Sequence, residues 1–230
     1  MKQIYLSVLL AGMLCGVSCA PKEDVKTPAS RQSNSDVQTE TAIVEVPPIA
    51  TEPAQMPAAL PQASKNPVVK MVTNKGTITM ELYADKAPIT VGNFLNYVNS
   101  KLYNGTLFHR VIPNFMIQGG GFTPEMQQKP TQPPIKNESY NQVRNERGTI
   151  AMARTNAPDS ATSQFFINHI DNRSLDFDGP MAPGYAVFGK VVDGLNVVDA
   201  IAGVQTRQLG PHANVPVETI LIESIDVIKE

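Results

Sequence analysis

Phe108-His109-Arg110-Val111-Ile112-Pro113-Asn114-Phe115-Met116-Ile117-Gln118-Gly119-Gly120 sets a fixed cation, Arg110, an amide, Gln118, and two large apolar side chains, Phe115 and Met116, around a proline turn. That mixture suits a small apolar pocket with a polar rim. Val111 and Ile112 are β-branched, Pro113-Asn114 breaks the run and Phe115-Met116-Ile117 resumes it, so the stretch reads as strand, turn and strand. Gly119, Gly120 and Gly121 then release the chain into a loop.

Further blocks follow in order: Ala151-Met152-Ala153-Arg154, Ser163-Gln164-Phe165-Phe166-Ile167-Asn168, Leu175-Asp176 and Gly184-Tyr185-Ala186-Val187-Phe188-Gly189-Lys190-Val191. Together with the first stretch they resemble the signature of the cyclophilins, the peptidyl-prolyl cis-trans isomerases, in a form similar to the bacterial exported or lipoprotein members. The resemblance covers roughly Val68 to Glu230.

Around these blocks the residues themselves predict a β-rich body. Val68–Thr73 reads as a strand and Asn74-Lys75-Gly76 as a tight turn. Thr77–Tyr83 then alternates, with Ile78, Met80 and Leu82 on one face. Pro88 precedes a helical stripe of Val91, Phe94, Leu95 and Val98, with Asn104-Gly105 as the stop. A second helix is expected over Leu195–Ala202, with Asp193 as N-cap. Short β-rich runs lie between them at Thr106–Ile112, Phe115–Gln118, Thr149–Ala153, Gln164–Ile167 and Tyr185–Val192, and Ile220–Ile228 closes the chain. Many short strands and two helices argue for an antiparallel barrel or sandwich. The resemblance implies the barrel: mainly β, closed, eight-stranded and antiparallel, capped by two α-helices.

The N-terminus has a different character. Lys2 precedes an apolar run from Ile4 to Leu14, too short to span a membrane and built like a signal peptide. Gly16-Val17-Ser18-Cys19 then resembles a lipoprotein cleavage site, with Cys19 as the lipidated first residue. An ordinary secretory signal cut nearby, or an uncleaved anchor, is the alternative. Both cysteines, Cys15 and Cys19, fall in this region, so the exported body has none to pair. From Ala20 to about Asn66, Pro, Ser, Thr, Gln, Glu, Lys and Ala dominate without a sustained period, the composition of a disordered tether. The expected organisation is therefore a signal peptide over 1–19, a tether over 20–66 and an isomerase domain over 67–230. Ala20 gives no inner-membrane retention signal of the aspartate kind, so the expected location is the outer membrane, facing the periplasm. A net charge of −2 offers no basic face for nucleic acid.

The activity that the resemblance implies is rotation about X-Pro bonds of exported proteins, assisting their folding. Twisting a prolyl amide costs about 18–20 kcal/mol of lost resonance, and no bond is made or broken. A catalyst therefore needs no nucleophile, metal or cofactor, and none is expected here. It must seat the proline ring and stabilise the twisted amide above either planar form. The resemblance gives Arg110 that last task, by donating a hydrogen bond near the prolyl nitrogen, whose lone pair becomes basic as resonance is lost. Phe115 and Gln118 complete the expected catalytic set. Met116, Phe166 and Leu175 join Phe115 as the apolar seat, and Gln164 joins Gln118 in bonding the substrate backbone or steadying Arg110. Ala153, Arg154 and Tyr185 line a groove for the extended peptide. Taken singly, Arg110 could be a surface ion-pair partner and the four apolar residues plain core. A non-catalytic peptide-binding or chaperone module on the same fold is the rival to an enzyme.

The expected partners are proline-containing peptides, unfolded exported proteins and, through the lipid, a membrane, with the chain a monomer. His109, His169 and His212 have no metal-ligand spacing, and Ser163 with His169 and Asp171 lacks the elbow that would hold a nucleophile. His109 reads as a structural histidine beside Arg110. Arg154 and Tyr185 replace an asparagine and a histidine common in the family. Ser174 stands where many eukaryotic members carry the tryptophan that cyclosporin-type ligands use, and the chain has no tryptophan. Weak inhibition by cyclosporin is therefore expected; a nanomolar inhibition constant in a peptide isomerisation assay would overturn it.

Overall fold

The protein is described from a computed structural model over residues 66–229. The expected signal peptide, Cys19 and all but the last residue of the expected tether lie outside the described residues. The chain forms β1 (Val68–Thr73), β2 (Gly76–Leu82), α1 (Pro88–Asn99), β3 (Thr106–Ile112), β4 (Met116–Gly119), β5 (Thr149–Met152), β6 (Phe165–Asn168), β7 (Val187–Asp193), α2 (Leu195–Ala202), β8 (Thr206–Leu209), β9 (His212–Pro216) and β10 (Leu221–Lys229). Eight strands close into an antiparallel barrel in the order β1-β10-β3-β4-β6-β5-β7-β2. Closure leaves none of the eight with an open edge.

Cross-strand register separates the two faces of the barrel wall. Val111 pairs with Ile117, Ile117 with Ile167, Ile167 with Ile150, Ile150 with Gly189 and Gly189 with Leu82. This row faces inward and its side chains belong to the main core. The adjacent row is Arg110, Gln118, Phe166, Ala151 and Val187, paired in that order across five strands. Successive residues of a strand point to opposite faces, so this second row faces outward. Phe166, Ala151 and Val187 form, with Met116, a separate apolar cluster.

Both helices bury their stripes in the main core. α1 contributes Val91, Phe94, Tyr97 and Val98, and the Phe94 ring lies 5.0–5.8 Å from Tyr103, Phe165 and Phe188. Its N-cap, Ala87, supplies no side-chain bond. Glu138, buried and remote in sequence, does so instead. Its carboxyl oxygens accept hydrogen bonds from the amides of Ile89 (3.2 Å) and Thr90 (2.8 Å) and from the Thr90 hydroxyl (2.7 Å). An acidic group at the first turn also suits the helix dipole.

Three expectations need correction. Asp193 does not cap α2: it is the last residue of β7, and the cap position is Gly194 at φ 86°. A Cβ there would collide with the carbonyl of Thr77, so the close approach of α2 to β2 admits only glycine. Phe115 belongs to the turn and β4 begins at Met116, because Asn114 takes the left-handed conformation at φ 57° and the chain is still reversing at Phe115. α1 ends at Asn99, five residues before the expected Asn104 stop, in a turn whose Ser100 amide reaches back to Asn96 (3.0 Å).

The β8–β9 hairpin was not legible in the sequence. It lies outside the barrel and β9 packs on β3. Under it, His109 is 5% exposed, its ring 4.7 Å from that of Phe122, which in turn meets the His212 ring at 5.3 Å. Its Nδ1 finds no partner among the described residues. Burial first, and then the proximity of His212 and Arg110, lower the His109 pKa from 6.5 to about 4.

The unfolded chain therefore binds a proton at His109 between pH 6.5 and 4 that the folded chain refuses. The stabilisation is complete above pH 6.5 and is lost as pH falls through this window, up to about 3 kcal/mol in all. In urea titrations, His109→Leu should flatten the loss of stability between pH 7 and 4 by an amount of this order. An unchanged pH profile in the variant would show that His109 titrates normally.

Candidate active site

The outward row and the turn after β3 build one small pocket. Arg110, Phe115, Met116, Gln118, Ala153, Arg154, Phe166, Leu175 and Tyr185 line a cavity of about 90 Å³. Met116 and Phe166 are buried in its wall, while Arg110, Phe115, Gln118 and Leu175 are half-buried around it. Nine of the ten residues expected at the site thus converge. The tenth, Gln164, stands one step behind.

A polar relay links three of them. Arg110 Nη1 donates to Gln118 Oε1 (3.2 Å), and Gln118 Nε2 donates to Gln164 Oε1 (3.0 Å). Gln164 thus orients the Gln118 amide, which leaves its oxygen facing the guanidinium. Gly121 explains the packing behind the relay: a Cβ there would run into the Gln164 side chain, so the glycine clears the space it occupies. Arg110 retains donors beyond the one given to Gln118, and among the described residues no carboxylate approaches within 4.0 Å of it.

Arg154 and Tyr185 form a second element of the rim. The Arg154 guanidinium lies 4.4 Å above the Tyr185 ring, while Nε donates to the Gly184 carbonyl and Nη1 to that of Thr155, both at 2.9 Å. Tyr185 in turn meets Phe166 edge-on at 5.5 Å. The stack thus runs from the half-buried cation to the pocket wall. Ser174 is exposed on a single 3₁₀ turn, Arg173–Leu175, beside Leu175.

Sequence reasoning missed the three asparagines that hold the apolar walls. Asn168 Nδ2 donates to Asn145 Oδ1 (3.2 Å) and Thr149 Oγ1 (2.9 Å), and Asn172 Nδ2 donates to Asn168 Oδ1 (2.7 Å) and to the Phe115 carbonyl (2.8 Å). Asn145 Nδ2 reaches the Leu175 carbonyl (3.0 Å). All three asparagines are buried, and the network ties the backbones of Phe115 and Leu175 together. Nothing in the spacing of these residues signals it; buried polar groups must find partners, but which partners depends on the fold.

Ser163 is fully buried, whereas His169 accepts a hydrogen bond from the Asn114 amide (3.0 Å) and lies 3.3 Å from Asp199, so these residues form no nucleophilic centre. Among the described residues no group of three or more potential metal ligands occurs. An adjacent concavity of about 460 Å³, lined by Ser139, Gln142, Val143, Arg144, Arg173, Asp176, Phe177 and Asp178, is larger but open, and charged and polar groups make up most of its wall. An apolar ring fits the smaller pocket better. What the pocket offers chemically is an apolar seat beside a fixed hydrogen-bond donor, with no carboxylate or imidazole in its lining.

Comparison with known proteins identifies the type. A family model described as cyclophilin type peptidyl-prolyl cis-trans isomerase/CLD matches residues 68–227. Peptidyl-prolyl cis-trans isomerase A of Dickeya dadantii is 57% identical over 162 residues, covering 70% of this chain and 85% of that protein. Peptidyl-prolyl cis-trans isomerase B of Escherichia coli is 56% identical over 162 residues, covering 70% of this chain and 99% of that protein. Among solved structures, a cyclophilin type isomerase of Cryptosporidium parvum, in the presence of the dipeptide Ala-Pro, matches with a TM-score of 0.61 at 27% identity, over 71% of this chain and 99% of that one.

Proposed function

The chain belongs to the cyclophilin-type peptidyl-prolyl cis-trans isomerases, and from that premise we propose how its residues divide the work. The reaction is rotation about X-Pro peptide bonds. The proline ring occupies the seat formed by Phe115, Met116, Phe166 and Leu175, where water is excluded and the amide loses solvent that favours its planar, charge-separated form. Arg110 donates to the prolyl nitrogen as the bond twists. In the planar amide that nitrogen is a poor acceptor, so the bond strengthens toward the transition state, and only such differential bonds raise the rate. Gln118 holds Arg110 in register and offers its remaining amide capacity to the substrate backbone, with Gln164 fixing its orientation. The peptide runs along Ala153 and Arg154 in extended form.

The observation that carries this reading is the hydrogen bond from Arg110 to Gln118 at the rim of an apolar pocket, a cation held in place with donors to spare. Arginine suits the role because its planar fork presents several donors in a fixed geometry.

We propose further that the substrates are exported proteins and that the domain is tethered to a membrane as a monomer. The support for export and tethering is sequence: the apolar run Ile4–Leu14, the small residues before Cys19 and the proline-rich stretch that follows. A flexible chain of about 45 residues has a root-mean-square reach of roughly 35–40 Å, enough to hold a domain clear of a lipid surface.

The role of Arg110 is tested by cis-to-trans exchange of a short Ala-Pro peptide. Arg110→Ala should lose at least about tenfold in kcat/KM, about 1.4 kcal/mol of transition-state stabilisation, with an unchanged urea midpoint. Wild-type turnover by the folded variant would remove Arg110 from the mechanism. Anchoring is read from the intact mass of membrane-extracted protein, which should begin at Cys19 and carry acyl chains; a start elsewhere, or an unmodified cysteine, would refute the lipoprotein reading.

A further inference from the structure

We propose that Arg154, stacked on Tyr185, selects clients that carry an acidic residue within two positions of the isomerised proline. The inference rests on the pocket being the isomerase site and adds a substrate class to it. Arg154 and Arg110 both line the pocket, and no acidic residue does. Among the described residues no carboxylate lies within 4.0 Å of either guanidinium. By contrast, on the surface nearby, Arg147 is paired with Asp199 at 2.9 Å and Arg173 with Glu146 at 3.4 Å.

The immediate surroundings of Arg154 fix its position without neutralising it. Two backbone carbonyls hold Nε and Nη1, and the aromatic face holds the plane of the guanidinium. Nη2 makes no hydrogen bond to the described residues, so part of the planar fork that matches a carboxylate stays open. The side chain is half-buried rather than extended into solvent. A purely structural arginine would satisfy these carbonyls equally well, but it would not need to line the substrate pocket with its charge uncompensated. The chain carries a net charge of −2, so an attraction for acidic segments would be local to this rim and not a property of the whole surface.

The test uses the full chain and a peptide series with Glu, Ala or Lys placed one or two positions before or after proline. At one flanking position at least, kcat/KM for the Glu peptide should exceed that for the Lys peptide by about tenfold at low salt, mainly through KM. The ratio should approach unity between about 0.01 M and 1 M salt, as the Debye length shrinks from about 30 Å to about 3 Å. Arg154→Gln should reduce the low-salt ratio to below about twofold, and Arg154→Lys should keep part of it, because charge survives while the fork and the stack do not. Ratios within about twofold at every position in the wild type, with the Ala peptide still isomerised, would overturn the inference and leave the isomerase site intact. A full preference surviving in folded Arg154→Gln would overturn it as well. No turnover of the Ala peptide by the folded wild type would remove the site reading itself, and the inference with it.

Discussion

The polar row of the site follows from β4 being paired on both sides, with β3 through Arg110 and Gln118 and with β6 through Gln118 and Phe166. That register puts a cation, an amide and an aromatic ring side by side on the outer wall while Val111, Ile117 and Ile167 fill the interior between them. Because side chains alternate, a slip of one residue would turn Ile117 outward and Gln118 into the core. The core thus enforces the site: burying the wrong row would place an amide and a guanidinium where neither could be hydrated. The side-by-side placement of Arg110, Gln118 and Phe166 is a by-product of hydrophobic register.

What the ladder does not fix, buried polar bonds do. Phe115 sits in a turn and Leu175 in a single 3₁₀ turn, elements that would move if left to themselves. Asn172 and Asn145 bond their carbonyls, and Asn168 joins the two asparagines. Each of these amides would be costly to leave unpaired in the interior, so the two walls of the pocket are bonded into one network. Glu138 does a comparable service for α1, at a distance in sequence that no local pattern encodes.

Those distances explain what could be read from the sequence and what could not. All eight barrel strands were legible to within about two residues, because alternation in Thr77–Leu82 and the β-branched pair Val111-Ile112 are local signals. Most of the pocket was legible because its residues cluster in a few short blocks that resemble a known family. The asparagine network was not, since a buried asparagine looks like any loop asparagine until its partner is known. Nor was the β8–β9 hairpin: Thr206-Arg207-Gln208-Leu209 has no apolar face, being exposed along most of its length. The Asp193 cap failed for a related reason. Propensity favoured an aspartate, but the contact of Gly194 with Thr77 decided the position, and that contact belongs to the tertiary structure.

The pocket's place on the outside of the barrel has a consequence for what the enzyme can handle. The interior is packed with side chains and admits no guest. A barrel that used its lumen would accept only molecules small enough to enter, or chain ends able to thread it. On the proposed reading of the pocket, a seat on the wall imposes neither limit: a polypeptide of any length can lie across it, present one proline from the middle of its sequence, and leave sideways. The size of the client is thus decoupled from the size of the catalyst.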